Sequence, residues 1–223
     1  VWLRAVGGGG KEYCSGHTVA HSIVAADGIY LALDTESYGA GGRDGLLIKL
    51  DFAGNTLWAR TWGGSDYDSP HCFCAIEGGG ILAVFDSHST DDQVLLKVDR
   101  DGNLLWAKGW STPFWVNGTD NNVQHVSYLG QDEIYVAGKT SDFSSFGVGD
   151  AYMMRFDDNG NLLWTRVWGD TDEECAPYPV KIPSGDIIWI IRTLSCSGYW
   201  SIASVRTDAA GGLVSEYLWT ATA

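Results

Sequence analysis

Basic residues are scarce in this sequence: 14 Lys and Arg stand against 28 Asp and Glu, a formal charge of −14 over 223 residues. A phosphate backbone is held by clustered Lys and Arg and repels so acidic a surface. Nucleic-acid binding of the ordinary electrostatic kind is therefore excluded, and adhesion to a membrane through a basic face goes with it. Long apolar runs are missing too: no stretch approaches the roughly 18 apolar residues that span a bilayer as a helix, so no membrane insertion is expected. The chain opens at Val1 without a charged segment leading into an apolar run, which fits a processed chain or an excised piece. Met and Pro are few, at 2 and 5, and no segment sustains a helical period. Catalytic signatures are lacking as well: there is no Gly-x-Ser-x-Gly elbow, no His-Glu-x-x-His, no phosphate-cradling glycine loop before a helix and no Cys-His pairing at a metal spacing. A site assembled from scattered loop residues stays open, so a glycan hydrolase or lyase is kept as the less favoured alternative.

What the sequence does have is 29 Gly and 11 Trp, alongside 10 Tyr and 7 Phe. Many glycines mean many tight turns and large aromatics suit strands, which gives an all-β expectation before any motif is considered. The 45% hydrophobic and 19% charged shares are those of a globular chain long enough to bury a sizeable core.

The chain is organised by a repeat. Segments 46–62, 94–110, 152–168 and, degraded, 202–219 align on Asp51, Asp99, Asp157 and Asp208, at spacings of 48, 58 and 51 residues. Each copy holds the pieces of a four-stranded sheet; the first reads 17–25, 28–34, 45–51 and 56–62. Between the last two strands sits Asp-x-x-Gly, in DFAG, DRDG, DDNG and DAAG, the signature of a type I turn closed by a left-handed glycine. Four strands at a period near 50 predict a β-propeller of four four-stranded blades, with repeat units of approximately 1–56, 57–104, 105–162 and 163–213. The outer strand occurs five times, because VWLRAV (1–6) matches LWARTW, LWAKGW, LWTRVW and VSEYLW. One terminal copy is thus surplus, either 1–6 or an extra strand at 214–223. It belongs to a longer propeller or doubles a blade edge, is exchanged between subunits of an oligomer or filament, or accepts a partner protein's strand.

The run GAGGRDGLLIKLDFAGNTLWARTWGG (39–64), repeated nearly as well at 147–170, resembles a secreted prokaryotic β-propeller repeat family. Its units read approximately small-Gly-x-x-Asp-x-x-Leu-x-Lys-Leu-Asp-x-x-Gly-Asn-x-x-Trp. The resemblance covers essentially the whole chain and implies a propeller fold and an extracellular or cell-surface setting, far more than an activity. The fourth unit departs from it at Ser201 and Ser215. Gly followed four residues later by Trp, as in Gly54 and Trp58, is also similar to the tryptophan-docking repeats of quinone-dependent dehydrogenases, from which no cofactor is carried over.

The loops expected to share one propeller face collect the unusual residues. Asp66, Asp68, Asp172, Glu173 and Glu174 are the densest acids and the candidates for Ca²⁺, against a merely solvated face. Tyr38, Tyr67, Phe114 and Trp115 fall in the same loops, where rings beside carboxylates suit a carbohydrate or protein partner, against packing on their own blade. Asp44, Asp92 and Asp150 recur just before the third strand, as acceptors of loop N–H groups. His21 (or His17), His71 and His125 lie near the starts of inner strands and would form a transition-metal site if those strands line a channel. Among five cysteines, Cys175 and Cys196 are the preferred disulfide pair, and Cys14 has Cys72 or Cys74 as alternatives. Asn117 begins an Asn-Gly-Thr glycosylation sequon. The favoured reading is an extracellular, non-catalytic structural or interaction module that self-associates through a terminal strand; a carbohydrate- or calcium-binding surface is the alternative.

Overall fold

A computed structural model describes residues 5, 7–13, 22–88, 92–111, 115–116, 119–120, 122–140, 149–194 and 200–219. The fold is all-β, without a helix among those residues, and comprises four antiparallel four-stranded sheets with the form of propeller blades. The first holds β2 (Ser22–Ala25), β3 (Gly28–Thr35), β4 (Asp44–Leu50) and β5 (Thr56–Trp62), with the additional short strand β1 (Glu12–Tyr13) beside β2 on the same edge of β3. The second runs β6 (Asp68–Ala75), β7 (Ile81–Ser87), β8 (Asp92–Val98) and β9 (Leu104–Ser111). A small hairpin, β10 (Trp115–Val116) with β11 (Thr119–Asp120), precedes the third sheet of β12 (Asn122–Tyr128), β13 (Ile134–Thr140), β14 (Asp150–Phe156) and β15 (Leu162–Trp168). The fourth is β16 (Glu174–Lys181), β17 (Ile187–Thr193), β18 (Ser201–Thr207) and β19 (Leu213–Trp219).

Within each sheet the four main strands follow one another as antiparallel neighbours, β1 being the one addition to that meander. The Asp-x-x-Gly hairpins form as expected. The Gly54 N–H donates to Asp51 O at 3.0 Å, while the Asp51 carboxylate accepts from the Asn55 N–H and from Asn55 Nδ2, both at 2.8 Å. Those hydrogen bonds hold the Asp51 carboxyl below its usual range and occupy the oxygens of a loop that superficially looks like a calcium ligand set. Leu213–Trp219 is the fourth strand of the last sheet, Ile202 facing Trp219 and Thr207 facing Leu213. The C-terminal copy of the outer strand is therefore not left over; the copy at 1–6 lies almost wholly outside the described residues.

The chain forms two compact units, Val1–Ser111 and Thr112–Ala223, of two sheets each. In the first, alternate side chains of β3 and β4 face β6, β7 and β8 in a core of Tyr30, Leu47, Trp58, Phe73, Ile81, Phe85 and Leu96. In the second, Tyr135, Met153, Trp189, Ile191 and Val205 play the equivalent part. Residue volumes are exchanged between the two. Phe85 fills the space left by Gly45, where a Cβ would fall 2.7 Å from its Cδ1, whereas Ala151 and Ile191 share the corresponding volume in the second unit.

The outer strand of the earlier sheet clips onto the last hairpin of the later one. Trp58 Nε1 donates to Arg100 O at 3.0 Å and Arg60 Nε to Gly102 O at 3.0 Å. In the second unit Trp164 Nε1 donates to Ala209 O at 3.2 Å and Arg166 Nε to Gly211 O at 2.8 Å. Gly102 (φ +83°) and Gly211 (φ +79°) lie against the indoles, where a Cβ would come within 2.8 Å, so the turn glycine serves both the hairpin and the clip. A buried ion pair adds to the first clip: Lys49 Nζ contacts Asp27 Oδ2 at 2.6 Å and donates to Arg100 O at 2.9 Å.

Candidate functional site

Among the described residues, each acidic or aromatic loop side chain has its own surroundings. Tyr38 donates its hydroxyl to Gly7 O at 2.7 Å. Tyr67 packs edge-on against His88 at 5.2 Å and under the Arg43 guanidinium at 4.9 Å, which also covers Tyr13 at 3.8 Å. Tyr38 thus folds onto the first sheet, and Tyr67 packs between Arg43, just before β4 of the first sheet, and His88, just after β7 of the second. Trp115 is in β10, its side chain outside the described set, and Asn117 lies outside the described residues altogether. Asp66 and Asp172 are exposed, and the Asp172 N–H donates to Asp170 Oδ1 at 3.0 Å. Glu173 pairs with Lys139 at 2.7 Å. Asp68 and Glu174 are buried. Among the described residues no three His, Cys, Asp or Glu side chains come together as a metal site.

The buried acids have a shared geometry that the sequence does not announce. Asp44 opens β4 and Asp68 opens β6, joined by the Asp68 N–H donating to Arg43 O at 2.7 Å. Asp150 opens β14 and Glu174 opens β16, joined by the Glu174 N–H donating to Gly149 O at 2.9 Å. Each such bond brings two carboxyls from adjacent sheets together over a glycine. A Cβ on Gly63 would press against Asp44 Oδ1 and lie 3.0 Å from Asp68 Oδ2; one on Gly169 would press against Asp150 Oδ1 and lie 2.6 Å from Glu174 Oε2. Backbone donors stabilise the pairs, with the Ala40 N–H donating to Asp44 at 3.1 Å, Gly64 to Asp68 at 2.6 Å and Asp170 to Glu174 at 3.1 Å. Thr193 Oγ1 donates to Glu174 Oε1 at 2.6 Å. Burial pushes the Asp44 carboxyl above its usual value; the Ala40 N–H opposes this and the Asp68 charge adds to it. Asp150 is raised to about 6, by burial first and then by the Glu174 and Asp170 charges. Asp44 behaves as expected in accepting a loop N–H, but its pairing with Asp68 joins residues from two sheets. The signal was an acid at the start of the inner strand in three units, Glu12, Asp68 and Glu174, each opposite Thr or Ser.

The histidines are engaged separately. His71 is the extra residue of a bulge in β6, between Pro70 and Cys72, and its Nε2 lies 3.0 Å from Asp86 Oδ2. His125, on β12, contacts Ser127 Oγ at 2.6 Å and the Tyr178 ring at 4.7 Å, and burial lowers its pKa to about 4. His21 lies outside the described residues.

The expected Cys175–Cys196 disulfide requires correction. Cys175 is a buried thiol, pushed up by burial against the pull of Arg192, its partner in the β16–β17 register. Cys196 lies outside the described residues. Cys72 and Cys74 are also thiols.

The remaining feature is β19. Outer strands β5, β9 and β15 carry a Trp and, two residues on, a cation: Trp58 and Arg60, Trp106 and Lys108, Trp164 and Arg166. In β19 the same register positions, opposite Arg206 and Ser204, are Ser215 and Tyr217. The strand pairs with β18 alone among the described residues and exposes Leu213, Val214, Tyr217, Leu218 and Trp219, with Tyr217 at 65% and Trp219 at 64%. Cations and inward-turned side chains blunt an edge strand against pairing; this edge has neither.

No family model matches the chain, and no curated protein does. Among solved structures it is similar to the endo-arabinase of Bacteroides thetaiotaomicron VPI-5482, at 14% identity and a TM-score of 0.44, over 90% of this chain and 80% of that one.

Proposed function

We propose that this chain is an extracellular, non-catalytic interaction module that associates with a second copy of itself through its terminal outer strands. The observation that carries the reading is β19, which pairs with β18 alone among the described residues and exposes five large apolar residues where the other outer strands hold a docking Trp and a cation. The likeness of residues 1–6 to an outer strand gives the same sequence a segment of matching pattern to add there. A non-catalytic role is supported by the site chemistry. A glycan-active enzyme holds two carboxyls apart on either side of a sugar ring, whereas Asp44 pairs with Asp68 and Asp150 with Glu174, each pair closed over one glycine. The extracellular setting rests on the resemblance of the repeat and on the Asn117 sequon; the three described cysteines, being thiols, add nothing to it.

Sedimentation at rising concentration tests the association. The intact chain is expected to form dimers or larger species, and both Tyr217→Lys, which restores the edge cation, and removal of residues 1–6 are expected to return it to monomer. Removal of 213–219 is the wrong test, because it deletes a strand of the fourth sheet. A chain that stays monomeric at all concentrations overturns the reading.

A further inference from the structure

Asp68 of the first unit's acid pair lines a cavity, beside Gly63, against which Asp44 packs. Between the first and second sheets lies a cavity of about 270 Å³ walled by Trp62, Phe85, Val94, Leu96 and Ala107, with Asp68 and Gly63 also on its lining. Trp62 and Phe85 face each other across 6.3 Å at 51°. No lining residue is basic. Asp44, 1% exposed, directs Oδ1 at the bare Cα of Gly63 on the cavity wall, and that oxygen has no hydrogen-bond partner among the described residues. A buried carboxylate oxygen without a donor is costly, and a cation or a donor brought to it recovers that cost.

The second unit fills the corresponding register positions differently. Trp168 stands where Trp62 does, facing Ala151 as Trp62 faces Gly45. Glu216 faces Val205 as Ala107 faces Leu96, and there the Trp168 Nε1–H donates to Glu216 Oε2 at 3.0 Å. In the second unit a carboxylate thus engages the indole N–H, whereas Ala107 offers Trp62 no such acceptor.

We propose that the first unit binds a small primary ammonium carrying an apolar body, the body between Trp62 and Phe85 and the ammonium at the Asp44–Asp68 carboxyls. The walls decide between this and its competitors. A hydrated divalent ion has no use for an indole, a phenyl ring and three aliphatic side chains, and a neutral apolar molecule leaves Asp44 Oδ1 as it found it. An ammonium gains from both carboxyls and from the aromatic faces at once.

Titration calorimetry of the whole chain at pH 7 with benzylammonium, and with benzyl alcohol as its neutral isostere, tests the assignment. Benzylammonium is expected to bind at one site, at least about tenfold more tightly than the alcohol, because the difference is one buried charge pair. Ala107→Gln, which brings a side chain of Glu216's length to this exposed position without adding a charge, and Asp44→Asn are each expected to weaken it by about tenfold or more. The indole signal of Trp62 in a proton–nitrogen spectrum should move in the wild type and stay still in Ala107→Gln. Thermal unfolding of each variant verifies the fold, and if Asp44→Asn unfolds, Ala107→Gln alone decides. Equal affinity for alcohol and ammonium, no saturable binding, or unchanged binding in Ala107→Gln overturns the proposal. Because neither variant touches β19, failure here is distinct from failure of self-association.

Discussion

Asp150 illustrates what a single residue costs a blade. Its carboxyl is held at about 6 in the folded chain against an ordinary 3.8, so the folded state binds this proton more tightly than the unfolded state does. The stabilisation from that proton is complete below the unfolded value and is lost as pH rises through about 6. Above that the ionised Asp150 faces Glu174 and Asp170, and the second unit is strained by like charge. Asp150→Asn removes the titration. In urea unfolding the variant is expected to gain on the wild type as pH is raised from 5 to 7.5, becoming the more stable chain at the upper end. The His125 ring, by contrast, stays neutral across that range, since burial has moved it to about 4.

At the scale of strands and sheets, neighbouring blades are matched by volume rather than by identity. Gly45→Ala forces a methyl into the Phe85 ring and is expected to cost about 1–3 kcal/mol, the usual range for overpacking. Phe85→Ile in the same chain recreates the Ala151 and Ile191 arrangement of the second unit and should recover most of it, a coupling that a double-mutant cycle of unfolding free energies measures. Elements of this kind divide into those the sequence displays and those it does not. The Asp-x-x-Gly hairpins and the Trp-bearing outer strands were legible because they are local and recur about every 50 residues. The first strand of the first sheet was read as 17–25, and its described part is only Ser22–Ala25, with β1 pairing farther along the same edge of β3. The acid pairs, the clip from Trp58 to Arg100 and the cavity at Ala107 were not legible. Each depends on which side chain of one sheet meets which residue of the next, and neither composition nor a two-residue period carries that information.

For the whole molecule the dominant quantity is its charge of −14. Two copies approaching through an apolar edge such as β19 must overcome mutual repulsion, so added salt should tighten the association, the reverse of an interface held by ion pairs. Light scattering at about 0.05 and 0.5 M NaCl separates the two cases by the sign of the change, since the Debye length falls from above 10 Å to below 5 Å over that interval.

The clips also have an order in time. Their donors, Trp58 and Arg60, belong to the earlier sheet, and their acceptors, Arg100 and Gly102, to a hairpin 42 residues further along. On a ribosome adding about 5–20 residues each second, the first blade waits roughly 2–8 s with its indole and guanidinium uncommitted before the turn that receives them is synthesised. Biosynthesis therefore closes each unit from its earlier sheet towards its later one. The last sheet carries Ser215 and Tyr217 in place of such donors.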